Sequence, residues 1–429
     1  MNANSAATAS RETLTEEDVV RQVSDWVDEN WDPDLTLGEW WQRLADSGYA
    51  HPSLPEQAYG KGWSQAMAIR AMRVFAEKKV VGPAPGLGYM LAAPTIADHG
   101  TAEQIDRYIP QILNGREAWC QLFSEPNAGS DLAGLQTRAD QDGEEWSVTG
   151  QKVWTSQGHY ADLGMLVART DPTVPKHQGM SYFALPMHQE GVDVRPLKEM
   201  TGRTFFSEVF MDRATVGEEA MIGGRGDGWR VANTTLTYER SSIGAGSAGN
   251  ILAAPGTVAN NFDRRVGDIV AAASKPKVGG HAPGVGMKLW DRWTELARTL
   301  DRTGDPVLRQ EIMELYIMLR VNRLNLQRAR DRNQRTGGEP NIAKLYDAEL
   351  HRRFRDVSLR IVGADGMLAG ASSRTDPGIA ELALHASAPS IYGGSDEIQH
   401  NILGERTLGL PKEPGPSRDT PFQDLPKNQ

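Results

Sequence analysis

The chain predicts an α+β fold in three successive parts: a helical N-terminal region, a middle antiparallel β barrel or sandwich, and a C-terminal helical bundle. Three changes of pattern predict it. Apolar residues recur at helical spacing as far as Leu113; after Trp119 they alternate with polar residues or gather in short apolar runs; from Trp229 to about Arg406 helical spacing returns. These changes place the parts at residues 1–118, 119–229 and 230–411, with a proline- and charge-rich tail at 412–429 expected to be flexible. A chain of 429 residues exceeds what one hydrophobic core usually serves.

Residues 1 to about 12 are small and polar and are expected to be disordered. Thr13 or Thr15 can cap a first helix, with Glu16, Glu17 and Asp18 in its first turn and Val19, Val20, Val23, Trp26 and Val27 at helical spacing. A second helix is expected from Trp63 to Glu77, followed by helices over Met90–His99 and Ala102–Leu113. In the middle region Trp146, Val148 and Val153 alternate with polar neighbours. Leu163–Val167, Tyr182–Leu185 and Val209–Met211 are compact apolar runs. Asp142-Gly143, Asp171-Pro172 and Glu190-Gly191 are turns between them. In the last region the glycine-rich stretch from Lys275 to Gly286 reads as a loop between helices.

Composition narrows the function. Hydrophobic residues make up 39% and charged residues 24% of the chain, a globular mixture. The net charge of −10 is spread without a long basic or acidic run, which argues against nucleic acid as a partner. Cys120 is the single cysteine, so an intramolecular disulfide and a cysteine zinc site are both excluded, and no metal is expected. No signal-peptide core precedes the first helix and no run is long enough to span a membrane. A cytoplasmic setting is expected.

The most informative stretch is Gln121 to Asp131, QLFSEPNAGSD. Pro126 ends regular pairing and restricts Glu125. Asn127-Ala128-Gly129-Ser130 then lets the backbone approach a neighbour closely. On residue chemistry alone this is a loop. The whole string resembles the first signature of the acyl-CoA dehydrogenase family, whose loop lies against the flavin and the substrate thioester. The resemblance extends over about residues 40–411. Pro55-Glu56-Gln57-Ala58-Tyr59-Gly60 matches a further family loop, although Lys61 replaces its second glycine. The resemblance implies FAD as cofactor and puts Gln121, Phe123, Ser124 and Ser130 against it, with Ser130 also facing substrate. Trp154-Thr155-Ser156 resembles the tripeptide that packs on the flavin ring.

Ser390 to Pro411, SIYGGSDEIQHNILGERTLGLP, reads on its own as a glycine turn and an amphipathic helix. It resembles the family's second signature, including Arg406 near its end. The resemblance gives Ser395 and Glu397 cofactor contacts, with phosphate or adenine at the start of the helix. It places Tyr392 and Gly393 beside substrate. Many family members carry their catalytic glutamate directly after this tyrosine; here that position is Gly393, which cannot take a proton. A subset that includes isovaleryl- and long-chain-type enzymes supplies the base from another helix, in a leucine, two residues, Glu-Arg motif. Leu236-Thr237-Tyr238-Glu239-Arg240 matches it. Glu239 is therefore the candidate base, with Arg240 beside the substrate.

Other positions match less closely. Arg302 and Gln310 stand where the family has an arginine and a glutamine reaching cofactor, but at shorter spacing. Arg360-Ile361-Val362-Gly363-Ala364 replaces a glutamine-x-x-Gly-Gly segment, leaving Gly363 as the cofactor-facing position. Some actinobacterial family members with this style of C-terminal half work as heterotetramers on bulky sterol side-chain thioesters. The resemblance implies α,β-dehydrogenation of an acyl-CoA to a 2,3-enoyl-CoA, an electron-transfer flavoprotein as acceptor, and a homotetramer or a heterotetramer with a related subunit. Two alternatives stay open: a flavin-dependent monooxygenase on the same fold, and a flavin-free structural subunit of a heteromeric dehydrogenase.

Overall fold

A computed structural model of the chain describes residues 14–245, 253–273, 284–330, 336–368, 372–412, 414–417 and 419–426. The first 12 residues and most of the 275–286 loop lie outside the described residues. Helix α1 (Glu16–Asn30) is opened by Thr15, whose hydroxyl accepts from the Asp18 N–H while Asp18 closes the reciprocal bond. Its Val19, Val23 and Val27 form one buried stripe. Helix α2 (Leu37–Ser47) was not anticipated. Thr36 and Glu39 cap it reciprocally, and the indoles of Trp40 and Trp41 donate to Val81 O at 2.8 Å and Gly82 O at 3.0 Å. Helix α3 (Gln65–Glu77) follows, then a π turn at Gly88–Ala92, α4 (Ala93–His99) and α5 (Ala102–Leu113). Gln104 on α5 donates to the carbonyls of Glu219 and Met221, both at 2.8 Å, and so joins this region to the sheet.

The middle strands are β1 (Trp119–Leu122), β2 (Arg138–Asp142), β3 (Glu145–Ser156), β4 (Leu163–Arg169), β5 (Met180–Pro186), β6 (Val192–Leu197) and β7 (Phe206–Gly217). The sheet is mixed where a purely antiparallel one was expected. β1 runs parallel to β4 in the register Trp119↔Leu163 to Leu122↔Leu166. The chain between them carries the 123–137 loop and the β2–β3 hairpin, and a connection that long frees β4 to return in the same direction. The β2–β3–β7–β6 meander and the β4–β5 pair are antiparallel.

Helix α6 (Gly228–Ala245) begins the second helical stretch, followed by α7 (Val266–Ala273), α8 (Met287–Thr299), α9 (Pro306–Arg330), α10 (Glu339–Val362), α11 (Pro377–His385) and α12 (Asp396–Ile402). Two cores divide these elements. Val231 and Ala232 of α6 and Val266 and Ile269 of α7 share the core of the N-terminal helices and the sheet. Leu289, Trp293, Leu315, Phe354 and Leu382 of α8–α11 build a separate one. Part of the tail expected to be flexible is seated on the sheet. The Phe422 N–H donates to Val174 O at 2.9 Å, and its ring lies 3.7 Å from the Arg169 guanidinium carbon, a cation–π contact that an apolar pattern does not reveal.

Candidate active site

The 123–137 loop is built around a buried charge. Glu125 and Ala128 exchange both backbone bonds, at 3.0 and 3.1 Å, which closes a tight turn around Pro126 and Asn127. The Glu125 carboxylate turns inward and accepts from the N–H groups of Gln136 (2.6 Å) and Thr137 (2.9 Å). It also accepts from Lys152 Nζ at 2.9 Å, and the same ammonium donates to Phe123 O at 3.0 Å. Lys152 has no exposed surface. Burial pulls Glu125 up, but Lys152 and the donors from Thr137 and Gln136 outweigh it and hold the carboxyl below its ordinary value. The loop is thereby tied to β3 just ahead of Trp154. Neither Glu125 nor Lys152 was singled out from the sequence; a lysine in the alternating β3 pattern was the available signal.

One residue later β3 carries an extra residue: Lys152 pairs with Val209 and Thr155 with Ser207. The resulting bulge holds Trp154 at φ 60°, a conformation rare for an aromatic residue. Its indole is 60% exposed, braced edge-on by Phe206 at 5.8 Å. Thr155 is buried with its hydroxyl unpartnered. A strained backbone presenting an open aromatic face beside an unsatisfied hydroxyl is a platform for a flat, polar ring. These residues fit a flavin. Phe123 packs edge-on against Tyr182 at 6.0 Å, Ser124 O receives the Val153 N–H at 2.9 Å, and Ser130 is exposed at the loop's far end.

Glu239 is placed by the anchoring of α6. The Thr235 hydroxyl lies 3.0 Å from that of Thr95 and 3.3 Å from that of Tyr182. Tyr238 donates to Asp98 at 2.8 Å, and His99 is bonded to Thr234 at 2.7 Å and to Arg230 at 2.8 Å. With α6 so held, the Glu239 carboxyl faces β1. Gln121 Nε2 donates to its Oε2 at 3.2 Å. Burial pushes the carboxyl above its ordinary value, against the opposing effects of Gln121 and Arg240. Arg240 donates to Thr237 at 3.0 Å. Burial lowers the pKa of Arg240 below its ordinary value, Glu239 opposes that, and Arg406 adds to it. Arg406 thus brings the end of the 390–411 segment to this side of α6.

Gly393 and Gly394 turn at φ 64° and 81°. Gln399, buried on α12, donates to Gly393 O at 2.7 Å and accepts from Asn341 of α10 at 2.6 Å. Asp396 is fixed between Lys344 (2.9 Å) and Arg352 (3.0 Å). Tyr392 keeps 39% exposure, and burial of its hydroxyl, with Asp347 nearby, pushes its pKa up to about 12. Ser395 is the N-cap of α12 and accepts the Ile398 N–H at 3.4 Å, so its hydroxyl is engaged within the chain; Glu397 is exposed. α12 runs on without a break into a π turn at Leu403–Thr407.

Arg302 and Gly363 meet at one end of the α8–α10 bundle, where a Cβ on Gly363 would lie 3.5 Å from Arg302 Nη2. Gln310 is exposed on α9. Among the described residues these three make no hydrogen bond to the loop, to the Trp154 strand or to α6. The chain therefore brings Gln121, Glu239, Arg240 and Arg406 together and builds the Phe123–Thr155 platform, and leaves Arg302, Gln310 and Gly363 outside that constellation.

Fold and platform define a flavoprotein dehydrogenase architecture, and comparison with known proteins gives the family. The family models for the acyl-CoA dehydrogenase N-terminal, middle and C-terminal domains match residues 5–116, 120–214 and 271–408. The chain belongs to the acyl-CoA dehydrogenase family, a family of oxidoreductases. It is 34% identical to acyl-CoA dehydrogenase IpdE1 of Mycobacterium tuberculosis over 87% of this chain and 88% of that one. It is also 34% identical to acyl-CoA dehydrogenase FadE34 of the same organism, over 86% of this chain and 46% of that longer one. Among solved structures, the Tcur3481-Tcur3483 steroid ACAD superposes with a TM-score of 0.69 at 23% identity, covering 94% of this chain and 99% of that one. The ChsE4-ChsE5 complex from Mycobacterium tuberculosis gives 0.65 at 21% identity, covering 94% and 100%. Among the described residues no helix is long and apolar enough to cross a membrane, and no group of three or more His, Cys, Asp or Glu could hold a metal ion.

Proposed function

We propose that this protein catalyses FAD-dependent α,β-dehydrogenation of an acyl-CoA thioester, with Glu239 as the base. The observation that carries the reading is the Glu239 carboxyl itself. It is closely surrounded, raised in basicity by burial and faced by Gln121, in a chain whose other candidate base position is Gly393. The thioester lies between Trp154 and α6. The Glu239 carboxylate takes the proton from Cα, and the electron pair left there forms the Cα–Cβ double bond as hydride departs from Cβ. The chemistry that FAD supplies when bound is acceptance of that hydride. Trp154 and Thr155 hold the ring, Ser124 and Ser130 line its approach, and the Gly393 N–H steadies the charge that develops on the thioester oxygen. Arg240 keeps a positive charge beside the base. A glycine in place of a glutamate at 393 leaves room near Cβ, which suits a branched or bulky acyl group.

An electron-transfer flavoprotein as acceptor and a cytoplasmic location complete this reading. The assembly is an oligomer, either of identical chains or with a related subunit. Met313, Ile317, Val321 and Leu324 support it, because they form a stripe along α9 that is 40 to 61% exposed, more apolar surface than a helix facing water usually carries. The exposure of Arg302 and Gln310 in the single chain fits cofactor contacts completed between subunits.

The test is anaerobic. The purified yellow protein is mixed with a panel of acyl-CoA thioesters and flavin absorbance is followed. Bleaching by a thioester is expected, and its loss by several orders of magnitude in Glu239→Gln at full FAD occupancy. Near-normal bleaching in Glu239→Gln would remove the base from Glu239. A yellow protein bleached only by an added reductant would point to the monooxygenase reading.

A further inference from the structure

We propose that Gln121 is a positioning residue for Glu239: its side-chain amide, donated from β1 across to α6, holds the carboxyl in the orientation in which it meets the substrate's Cα proton. This deepens the function proposed above and rests on it. Family resemblance groups Gln121 with the flavin contacts, but the chain points its amide elsewhere. Nε2 lies 3.2 Å from Glu239 Oε2 across a sequence separation of 118 residues. Gln121 is the one side chain among the described residues that hydrogen-bonds this carboxyl.

The two ends of the contact are both fixed. β1 ends the sheet, bonded along its length to β4, and its Trp119, Cys120 and Leu122 are buried around a half-buried Gln121. The helix is pinned by Thr235, Tyr238 and Thr234 to α4 and β5. A glutamate otherwise has three rotatable bonds, and ordering it costs entropy. An amide offered from a rigid strand engages one oxygen and leaves Oε1 for the proton. The bond also favours the ionised carboxylate, which is the form that can act as base.

Few other groups compete for that role. Arg240 on the same helix acts on Glu239 through its charge alone, and its own hydrogen bond goes to Thr237. Arg406 faces Arg240 from the 390–411 segment. Asp98 on α4 is taken by Tyr238. The amide of Gln121 is therefore the directional contact, while the charges set a background that its removal leaves in place.

The experiment uses Gln121→Met, which keeps the side chain's length and removes the donor. Two readouts are taken on the purified holoprotein. The first is the rate of anaerobic flavin reduction by a thioester, with FAD content and thioester Kd measured alongside. The second is the titration midpoint of the Glu239 carboxyl by 13C NMR of glutamate-labelled protein, assigned with Glu239→Gln. Flavin reduction is expected to slow on the order of 10- to 100-fold, with FAD content unchanged and Kd within about threefold, since uniform binding is not what the amide provides. The midpoint is expected to move to higher pH. An unchanged midpoint, or an unchanged rate, overturns the proposal. If no thioester bleaches even the parent protein, the dehydrogenase reading fails, and the NMR midpoint alone still decides whether Gln121 governs Glu239.

Discussion

Lys152, with no exposed surface, donates from Nζ to Glu125 Oε1 at 2.9 Å and to Phe123 O at 3.0 Å. One buried ammonium thus ties the loop that begins the site to the strand that carries Trp154. The pair is stable as a pair, because each charge is desolvated and each is answered by the other and by further hydrogen bonds.

Removing one partner leaves the other buried and uncompensated. Lys152→Met is expected to cost about 3–5 kcal/mol, read by urea unfolding, and to lower FAD retention as the loop loosens. Adding Glu125→Gln to Lys152→Met should recover a large part of the stability, because the orphaned carboxylate is gone. If Lys152→Met unfolds at the parent's urea midpoint, the loop is held by something else.

The basicity of Glu239 sets a pH prediction of definite sign. Burial raises its pKa above the ordinary 4.5, so the folded state binds its proton more tightly than the unfolded state does. The stabilising contribution is complete below about 4.5 and is lost as pH rises through the folded value. Glu239→Gln escapes that loss. At neutral pH it should be at least as stable as the parent by thermal unfolding, and the difference should shrink as pH falls toward 4.5. In the parent the rate of thioester-driven bleaching should rise with pH through the same raised value.

The Gly393-Gly394 turn depends on α10. Gln399 donates to Gly393 O and accepts from Asn341, and a Cβ on Gly394 would come within 2.6 Å of Gln399 Nε2 at a backbone φ of 81°. Gly394→Ala is expected to destabilise by about 1–3 kcal/mol and to weaken thioester binding together with it. Gln399→Leu leaves Asn341 and Gly393 O unpaired, at about 1–3 kcal/mol for each. Calorimetry of unfolding and thioester titration check both; intact thioester affinity in Gly394→Ala would detach the turn from the substrate.

The exposed stripe on α9 bears on assembly. Ile317→Glu with Leu324→Glu changes two side chains that are 56% and 61% exposed, so the fold of a single chain should tolerate them within about 0.5 kcal/mol each. The oligomer should dissociate in size-exclusion chromatography with light scattering. An unchanged oligomer would place the interface elsewhere.

Much of this molecule is legible without coordinates. Helices Ala102–Leu113 and Glu16–Asn30 follow from capping residues and a 3.6-residue apolar period. The strands around Leu163–Arg169 and Met180–Pro186 follow from short apolar runs between turns. These are local properties: a cap or a period is decided within a few residues. The candidate base was legible because Glu239 and Arg240 are neighbours in a short motif, and the loss at Gly393 is a single letter. Helix α2 was missed because its two adjacent tryptophans look alike to any periodicity, and their bonds to Val81 and Gly82 lie about forty residues on.

What the sequence by itself determined is most of the order of helices and strands, the family's signatures and the carboxylate we propose as base. Tertiary structure alone decided which partner each of those residues meets. Gln121 turned toward Glu239, Lys152 paired with Glu125, Gln399 reached back to Gly393, and β4 lay parallel to β1. Each of these relations rests on closing a loop that no local rule scores. Its cost is chain entropy and its return is a hydrogen bond or ion pair made only when distant elements are already packed. A residue's chemistry is written in its letter, but its direction is set by the elements that hold it.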